Sequence, residues 1–382
     1  MKEEIMSLGR ELWNNPEPGF FETKTHAVLA RLFADAGFRV TDHGGMPGFS
    51  AVREGSRNTG RFILLADMDA LPRPGTGEYI HSCGHHVQCT VMYGAARILA
   101  EKHPGALKDI VFTAVPAEEY IELERRAEYA ESHGLGALSG KQELLRRGFF
   151  DSAEAVIATH AAGGKGRFIT SVLCMSGFLV QTFTFRGTAA HAGAQPHLGR
   201  NTQNAAALFL QACAFLRETF DESMHIRIHP VMRPAEGQSV NLIPDYTFVE
   251  TYVRASAFEA VEETASKLEA AAAGCAGALD VTCSVSRSAG YAPFGADPRL
   301  HNLARSKSEA LGVYFVEEDF SSASSDMGDV SLVKPSIIIG LPGSNGLFHN
   351  PGFRILDEED AYVFSSEFLA DYLVSLVEGW LA

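Results

Sequence analysis

Short apolar runs that end in acidic or imidazole side chains recur along the chain. "RFILLADMDALP" (61–72), "DIVFTAVPAEE" (109–119) and "AEAVIATH" (153–160) come early, and "SIIIGLPG" (336–343) comes near the end. Apolar runs this short, bounded by proline, glycine or charge, predict strands buried on both faces. Helical spacing lies between them. Residues 1–40 read as helices, with "HAVLARLFADAGF" ending on Gly37, and "VMYGAARILAEK" (91–102) is another. Strands alternating with helices predict an α/β fold around a mainly parallel sheet. In such sheets the ends of the strands carry the chemistry.

The middle of the chain has a different pattern. "FLVQTFTFRGTAAHAG" (178–193) alternates as a half-exposed strand does, and "NTQNAAALFLQACAFLRETF" (201–220) is strongly helical. "IRIHPVMR" and "YTFVETYVRA" read as strands, "FEAVEETASKLEAAAAGCA" (258–276) as a helix and "DVTCSVSRSAG" as a last strand. The order β-α-β-β-α-β predicts a ferredoxin-like unit at 177–290, inserted into a larger domain made of 1–176 plus 291–382. The charged stretch "IELERRAEYAESHG" (121–134) reads as a solvated helix.

Composition narrows the function classes. A chain of 382 residues suits two domains, and a net charge of -15 argues against nucleic acid or an anionic membrane as partner. No apolar run is long enough to span a bilayer, and the acidic amphipathic start lacks a signal core, so a cytoplasmic location is expected. Six cysteines without a CxxC pair argue against a disulfide framework. "GLGALSGKQ" (134–142) superficially resembles a phosphate loop, but its glycine spacing is wrong and Gln142 stands where a hydroxyl should hold magnesium.

The candidate chemistry sits at the strand ends. "DMD" sets Asp67 and Asp69 on one face of a strand, and "PAEE" points Glu118 and Glu119 in different directions. The aspartates could instead cap the next helix, and an exposed helix start explains Glu118–Glu119 equally well in isolation. His160 at a strand end could be a satisfied core residue, and His191 and His349 say little singly. Together, Cys83, His85, Glu119, His160 and His349 form the thiolate, imidazole and carboxylate set that zinc prefers. Five ligands exceed one tetrahedral site, whereas one shared ligand bridging two metals uses them all, leaving Glu118 placed to activate water.

"LLADMDALP", "HSCGHHVQC…GAA", "VPAEE", "ATH", "GTAAHAGAQPHLGRNTQNAA", "GQSVNLIPD…ETYVRA" and "SSDMGDVS" occur in an order that resembles the di-zinc aminoacylase and carboxypeptidase superfamily. The likeness covers nearly the whole chain. It is closest to the amidohydrolase branch of hippurate, auxin-conjugate and aminobenzoyl-glutamate hydrolases. The resemblance implies that Cys83 bridges two metals, that His85 and His160 complete one site, and that Glu119 and His349 complete the other. It makes Glu118 the general base and Asp69 a carboxylate that orients a ligand. His191 would polarise the scissile carbonyl from a partner subunit, while Asn241 and Arg254 would hold a substrate carboxylate. Two divalent ions are expected, zinc first, with manganese, cobalt or nickel as alternatives. The expected substrate is a small amide with a free carboxylate, either an N-acyl or aminobenzoyl amino acid or, alternatively, a dipeptide. A non-enzymatic binding protein is the third reading. Homodimerisation is expected through the inserted lid domain.

The chain departs from this pattern in two places. The usual "CGHDGH" reads "CGHHVQ", putting His86 and Gln88 where an aspartate and a histidine stand. The chain between Glu119 and His160 is also longer than in the hippurate-hydrolase type, and this insertion is expected near the mouth of the site.

Overall fold

The computed structural model describes residues 1–53, 55, 61–234 and 239–380. Gly237 and Gln238 of the "GQSVNLIPD" stretch lie outside the described residues. The chain divides into two compact units. One comprises Met1–Cys174, Phe294–Phe320 and Ser325–Ala382; the other comprises Met175–Pro293 with Ser321–Ser324.

The first unit is a mixed α/β structure. Among its described residues, a sheet runs in the order Phe38–Asp42, Phe49–Arg53, Ile110–Val115, Phe62–Asp67, Ala155–Gly163, Ser336–Asn345, Phe168–Val172 and Tyr314–Glu318. The four strands from Ile110–Val115 to Ser336–Asn345 run parallel, and antiparallel pairings flank them. Phe62–Asp67 and Ile110–Val115 are buried along their whole length, as their unbroken apolar runs require. Because the central strands are parallel, their C-terminal ends emerge along the same edge. Asp67, the Pro116–Glu119 turn, His160 and the 346–349 loop all belong to that edge.

The helix His85–Lys102 is buried nearly all round. It packs against the sheet and against Lys2–Trp13 and Ser365–Trp380. Its periodicity is clear only from residue 91, yet the helix starts six residues earlier, on His85. Gly84 precedes it with φ +89°, and a Cβ there would lie 2.6 Å from Ala161 Cβ. Only glycine lets the helix start this close to the Ala155–Gly163 strand. At the N-terminus, the helix Thr23–Asp35 is followed by the strand Phe38–Asp42, so the helical reading of 1–40 is too long by the start of that strand.

The second unit is an antiparallel sheet with two helices. Gly177–Arg186 pairs with Tyr246–Ala255 on one side and Thr282–Ala289 on the other, and Arg227–Ile228 and Val231–Pro234 add to the outer edge of Tyr246–Ala255. Gly177–Arg186 and Tyr246–Ala255 alternate strictly in burial over most of their length. Their inward side chains, including Phe183, Phe185, Val249 and Val253, meet Phe209 and Cys213 of Thr202–Leu216 and Val261 and Leu268 of Phe258–Gly277. Asn201 caps the first of these helices, accepting from the backbone of Gln203 and Asn204. No helix among the described residues is long and apolar enough to cross a membrane.

Candidate metal centre

Two groups of ligand-type atoms share Cys83. Cys83, His85 and His160 form one, and Cys83, Glu119 and His349 form the other; within each group the atoms lie within 4.8 Å of one another. His85, Glu118 and Glu119 form a third overlapping group. All five residues picked as ligands from sequence are therefore brought together in the first unit, with Glu118 beside them.

The hydrogen bonds of the histidines reveal which ring nitrogens are available. His85 Nδ1 is 2.9 Å from both the backbone oxygen and Oδ1 of Asp69, so it must carry the proton and donate. Its Nε2 is turned into the site, buried without a hydrogen-bond partner and 3.9 Å from Glu118 Oε2. Burial would lower the pKa of this ring, but the Cys83 charge and the Asp69 hydrogen bond push it well up, so without a metal His85 keeps the Nε2 proton as well. His160 Nδ1 likewise donates to the Ala161 carbonyl at 2.8 Å, and its Nε2 sits 3.4 Å from Cys83 Sγ. Metal-binding histidines characteristically have one nitrogen tied to a carboxylate or carbonyl and the other turned into the site. A buried His85 Nε2 without a partner is costly, and a metal ion that displaces its proton would fill the position. The donor set and its protonation pattern therefore fit divalent metal ions, and Cys83 is the ligand both groups have in common.

Charge at the site is finely divided. Burial pushes the Cys83 thiol well above its ordinary range, and the charge of Glu119 adds to this. Burial also raises Glu118 well above the usual carboxylate range, reinforced by Asp326 and Asp67. In Glu119 burial acts the same way but is outweighed by the His349 hydrogen bond and the His85 charge, so its carboxyl is held low. The His349 Nε2 to Glu119 Oε1 distance is 3.2 Å. Neighbouring glutamates thus differ in character, one ready to hold a proton and one ready to stay ionised. His349 has φ +60° and an exposed side chain, and its N–H donates to Ser82 O at 2.9 Å.

Asp67 and Asp69 do not share a strand face. The strand ends at Asp67, and the two carboxylates turn to different partners. Asp69 takes His85 Nδ1 on Oδ1; its Oδ2 accepts from the Glu119 backbone at 3.0 Å and from Arg126 Nη2 at 3.2 Å. Burial would raise its pKa, but the His85 hydrogen bond and the charges of His85 and Arg126 hold it far below. Asp67 is paired with the fully buried Lys141, whose ammonium also reaches Asp326 Oδ1 at 2.6 Å. Ser139, which caps the helix Gly140–Arg146, donates to Asp326 Oδ2 at 2.8 Å.

Lys141 and Arg126 escape the sequence reading, and Asp326 enters it only within "SSDMGDVS", without a role. "SGKQ" reads there only as a failed phosphate loop, and Arg126 falls in a stretch that reads as solvated. Arg126 is in fact 2% exposed. A signal exists: Lys141 stands three residues before Leu144, on the apolar side of its helix, and a lysine there requires buried acids.

The anomalous His86 is not part of any ligand group among the described residues. It is buried in an aromatic nest, 4.9 Å from the Trp13 ring and 5.0 Å from the His81 ring. Burial keeps it neutral. Gln88 accepts from the Asp67 backbone at 3.0 Å, and Cys89 Sγ donates to Asp67 O at 3.1 Å. The two departures from the motif are thus packing and backbone-holding residues.

His191, Asn241 and Arg254 lie in the second unit. His191 is exposed, and its Nδ1 accepts from the backbones of Gly193 and Ala194 at 3.1 and 3.0 Å. In the neutral ring the proton is then on Nε2, facing outward as a donor. The Asn241 side chain accepts from Ser239 Oγ at 2.5 Å, and its backbone oxygen accepts from Ala192 N. Arg254 donates to Ser322 O at 3.0 Å, lies against Phe178 and Tyr252, and keeps its Nε buried without a partner.

Comparison with known proteins gives the same direction. Residues 63–375 match the model of peptidase family M20/M25/M40. The mouse (Mus musculus) protein named Xaa-Arg dipeptidase is 28% identical over 354 residues, 88% of this chain and 75% of its own. A p-aminobenzoyl-glutamate hydrolase chain from Escherichia coli K12 is 26% identical, covering 72% of this chain and 56% of its own. The crystal structure of a Bacillus subtilis dinuclear metal-binding peptidase of the M20 family matches with a TM-score of 0.77 at 20% identity, covering 99% of this chain and 98% of that one. With the fold, the clustered donors and a family match spanning most of its length, the chain belongs to peptidase family M20/M25/M40 and is a metal-dependent hydrolase of amide bonds.

Proposed function

We propose that the protein hydrolyses the amide bond of an N-acyl or aminobenzoyl amino acid, with Glu118 as general base. The carrying observation is the division between neighbouring glutamates: Glu119 sits with His349 and Cys83, while Glu118 is raised towards protonation beside His85. In this reading Cys83, His85 and His160 would hold one divalent ion, zinc first, and Cys83, Glu119 and His349 would hold the other. When bound there, divalent ions would supply Lewis acidity for amide hydrolysis. Glu118 takes a proton from that water as it attacks and delivers it to the departing amine nitrogen. Asp69 holds the His85 tautomer and ties it to the Glu119 backbone. Burial of the carboxylates and thiol keeps bulk water from competing for these protons.

The second unit is read as a ferredoxin-like lid and dimerisation domain spanning about residues 177–290, on the strength of its strand order and two helices. His191 then serves as a donor to the oxyanion, from a partner copy of the chain, which its outward Nε2–H supports. Arg254, with a free Nε donor, and Asn241 anchor the substrate carboxylate. A dipeptide substrate is the second reading, favoured by the similarity to the mouse dipeptidase.

Elemental analysis followed by a hydrolysis screen tests the proposal. N-acyl amino acids, aminobenzoyl-glutamate and dipeptides would be compared with and without chelator. Chelator-sensitive release of a free amino acid from the first two classes supports it. Cleavage confined to dipeptides moves the assignment to the second reading. Full activity after exhaustive chelation overturns both.

A further inference from the structure

We infer that Arg126, carried by the insertion between Glu119 and His160, is a positioning residue of the metal centre. It fixes Asp69 and the Ala117 peptide, and through them the ligand atoms of His85 and Glu119. The inference rests on the ligand assignment above and adds to it a residue on a helix of the insertion, Leu123–His133.

The guanidinium serves three acceptors at once. Nη2 donates to Asp69 Oδ2 at 3.2 Å, and Nη1 donates to the carbonyls of Ala117 at 2.8 Å and Leu138 at 3.2 Å. Asp69 passes this constraint on in two directions, to His85 Nδ1 and to the Glu119 backbone N–H. Ala117 passes it on in a third. This residue stands directly before the two glutamates with φ +61°, a conformation that a residue with a Cβ adopts only when held there. Its carbonyl is held by Arg126, and its N–H donates to Glu22 Oε1 at 2.8 Å, from another buried side chain. The residue that aims Glu118 and Glu119 is therefore clamped from both sides by buried side chains, Arg126 on its carbonyl and Glu22 on its N–H.

The space is built for this side chain. A Cβ on Gly19 would collide with Arg126 Nη2, and the neighbouring Phe20 ring lies 5.9 Å from the guanidinium carbon. A lysine would bring the charge but not a planar fork matched to three acceptors. An arginine serving only to anchor its helix would not need to touch the carboxylate that orients His85.

Cobalt binding gives a readout independent of turnover. The apoprotein, Arg126→Met, Arg126→Lys and a control, Arg125→Met on the exposed face of the same helix, would be titrated with Co(II) against a chromophoric chelator. The thiolate–cobalt absorption band would be followed, with the apoprotein melting temperature recorded for each. The wild type and Arg125→Met should take up two equivalents with the same spectrum. Arg126→Met should bind about 10–100-fold more weakly, the range found when outer partners of metal ligands are removed, with a shifted band. Arg126→Lys should fall between them. A folded Arg126→Met protein with wild-type affinity and spectrum overturns the inference. Should that variant not fold, wild-type affinity and spectrum in Arg126→Lys overturn it, and weakened binding upholds it. Absence of cobalt uptake by the wild type would instead overturn the metal-centre reading.

Discussion

Asp67 and Asp69 follow one central strand, and Glu118 and Glu119 follow its neighbour. The four carboxylates are 4%, 1%, 8% and 6% exposed, so burial alone does not separate the pairs. Their partners do. Each aspartate meets a permanent cation, Lys141 for Asp67 and Arg126 for Asp69, and Asp69 in addition holds the outer nitrogen of His85, Nδ1, at 2.9 Å. The glutamates meet imidazoles, His85 and His349, with a thiol nearby. A lysine or arginine neutralises a buried acid at every working pH and makes it part of the frame. Imidazole and thiol can give up their protons to a metal, so acids that face them without a hydrogen-bonded lysine or arginine remain chemically available. Two carboxylate pairs at adjacent strand ends have thus been assigned to different tasks by the groups packed against them.

Removing the base should give the largest change. Glu118→Gln keeps size and hydrogen bonding but cannot shuttle a proton. Turnover should fall by about 10²–10⁴, the usual contribution of a positioned acid–base group. Metal content should stay at the wild-type value, because the ligand set is untouched. A Glu118→Gln protein emptied of metal would mean that this carboxylate belongs with Glu119, and the contrast between the two glutamates would collapse.

Lys141→Met attacks the other pair. It strands Asp67 and Asp326 in the interior without their ammonium, and breaking such a pair costs about 3–5 kcal/mol. Chemical denaturation of the apoprotein reads the loss. Its pH dependence carries a sign. Burial already pushes Asp326 up to about 6 with Lys141 present. A carboxyl whose folded pKa is raised loses stability as pH climbs from its unfolded value, near 3.8, through the folded one, because folding must then bury the charge. The deficit of Lys141→Met should therefore be greatest at pH 8 and shrink as pH falls towards 5. A deficit that is equal at both values would show that the lysine contributes packing and not neutralisation.

His191→Ala tests the site from the second unit. If the exposed Nε2–H is an oxyanion donor, kcat should fall by about 10²–10³ while the melting temperature holds, since His191 buries little. An unchanged kcat would confine the chemistry to the first unit.

How far the sequence carries can be seen at particular residues. The buried strands are legible because their apolar runs are unbroken, and the five ligand candidates because thiol, imidazole and carboxylate rarely gather at strand ends by accident. Two boundaries mislead. His160 looks like a strand terminus, but Ala161, Ala162 and Gly163 are small enough for the strand to continue. The helix from His85 is hidden because its first turns are polar; Gln88 and Cys89 are accommodated in the core by bonding to the backbone of Asp67 at the end of a neighbouring strand. The insertion is the largest miss. Its charges suggest solvent, whereas Arg126 and Lys141 are spent inside the protein on acids more than fifty positions away in sequence. Periodicity records which side chains are apolar. It does not record which buried cation has found its anion.

Glu143, also on the insertion, gives the smallest and most local test of the comparison. It is a buried acid answered by the permanent cations Arg146 and Arg147 and by the Gly136 N–H, with no imidazole involved. Burial works against its charge, but these hydrogen bonds hold its pKa down at about 2. A depressed carboxyl pKa contributes stability that is complete above the unfolded value, near 4.5, and is lost as pH falls through that value towards 2. Glu143→Gln should therefore lower the melting temperature at pH 7 and narrow the gap from wild type between about pH 4.5 and 2. Because other acids titrate in the same window, the difference between the two proteins is the quantity to follow. A gap independent of pH would mean that the arginines bind the amide as well as the carboxylate. The frame would then depend on hydrogen-bond geometry here, and charge would be decisive only where Lys141 meets two carboxylates.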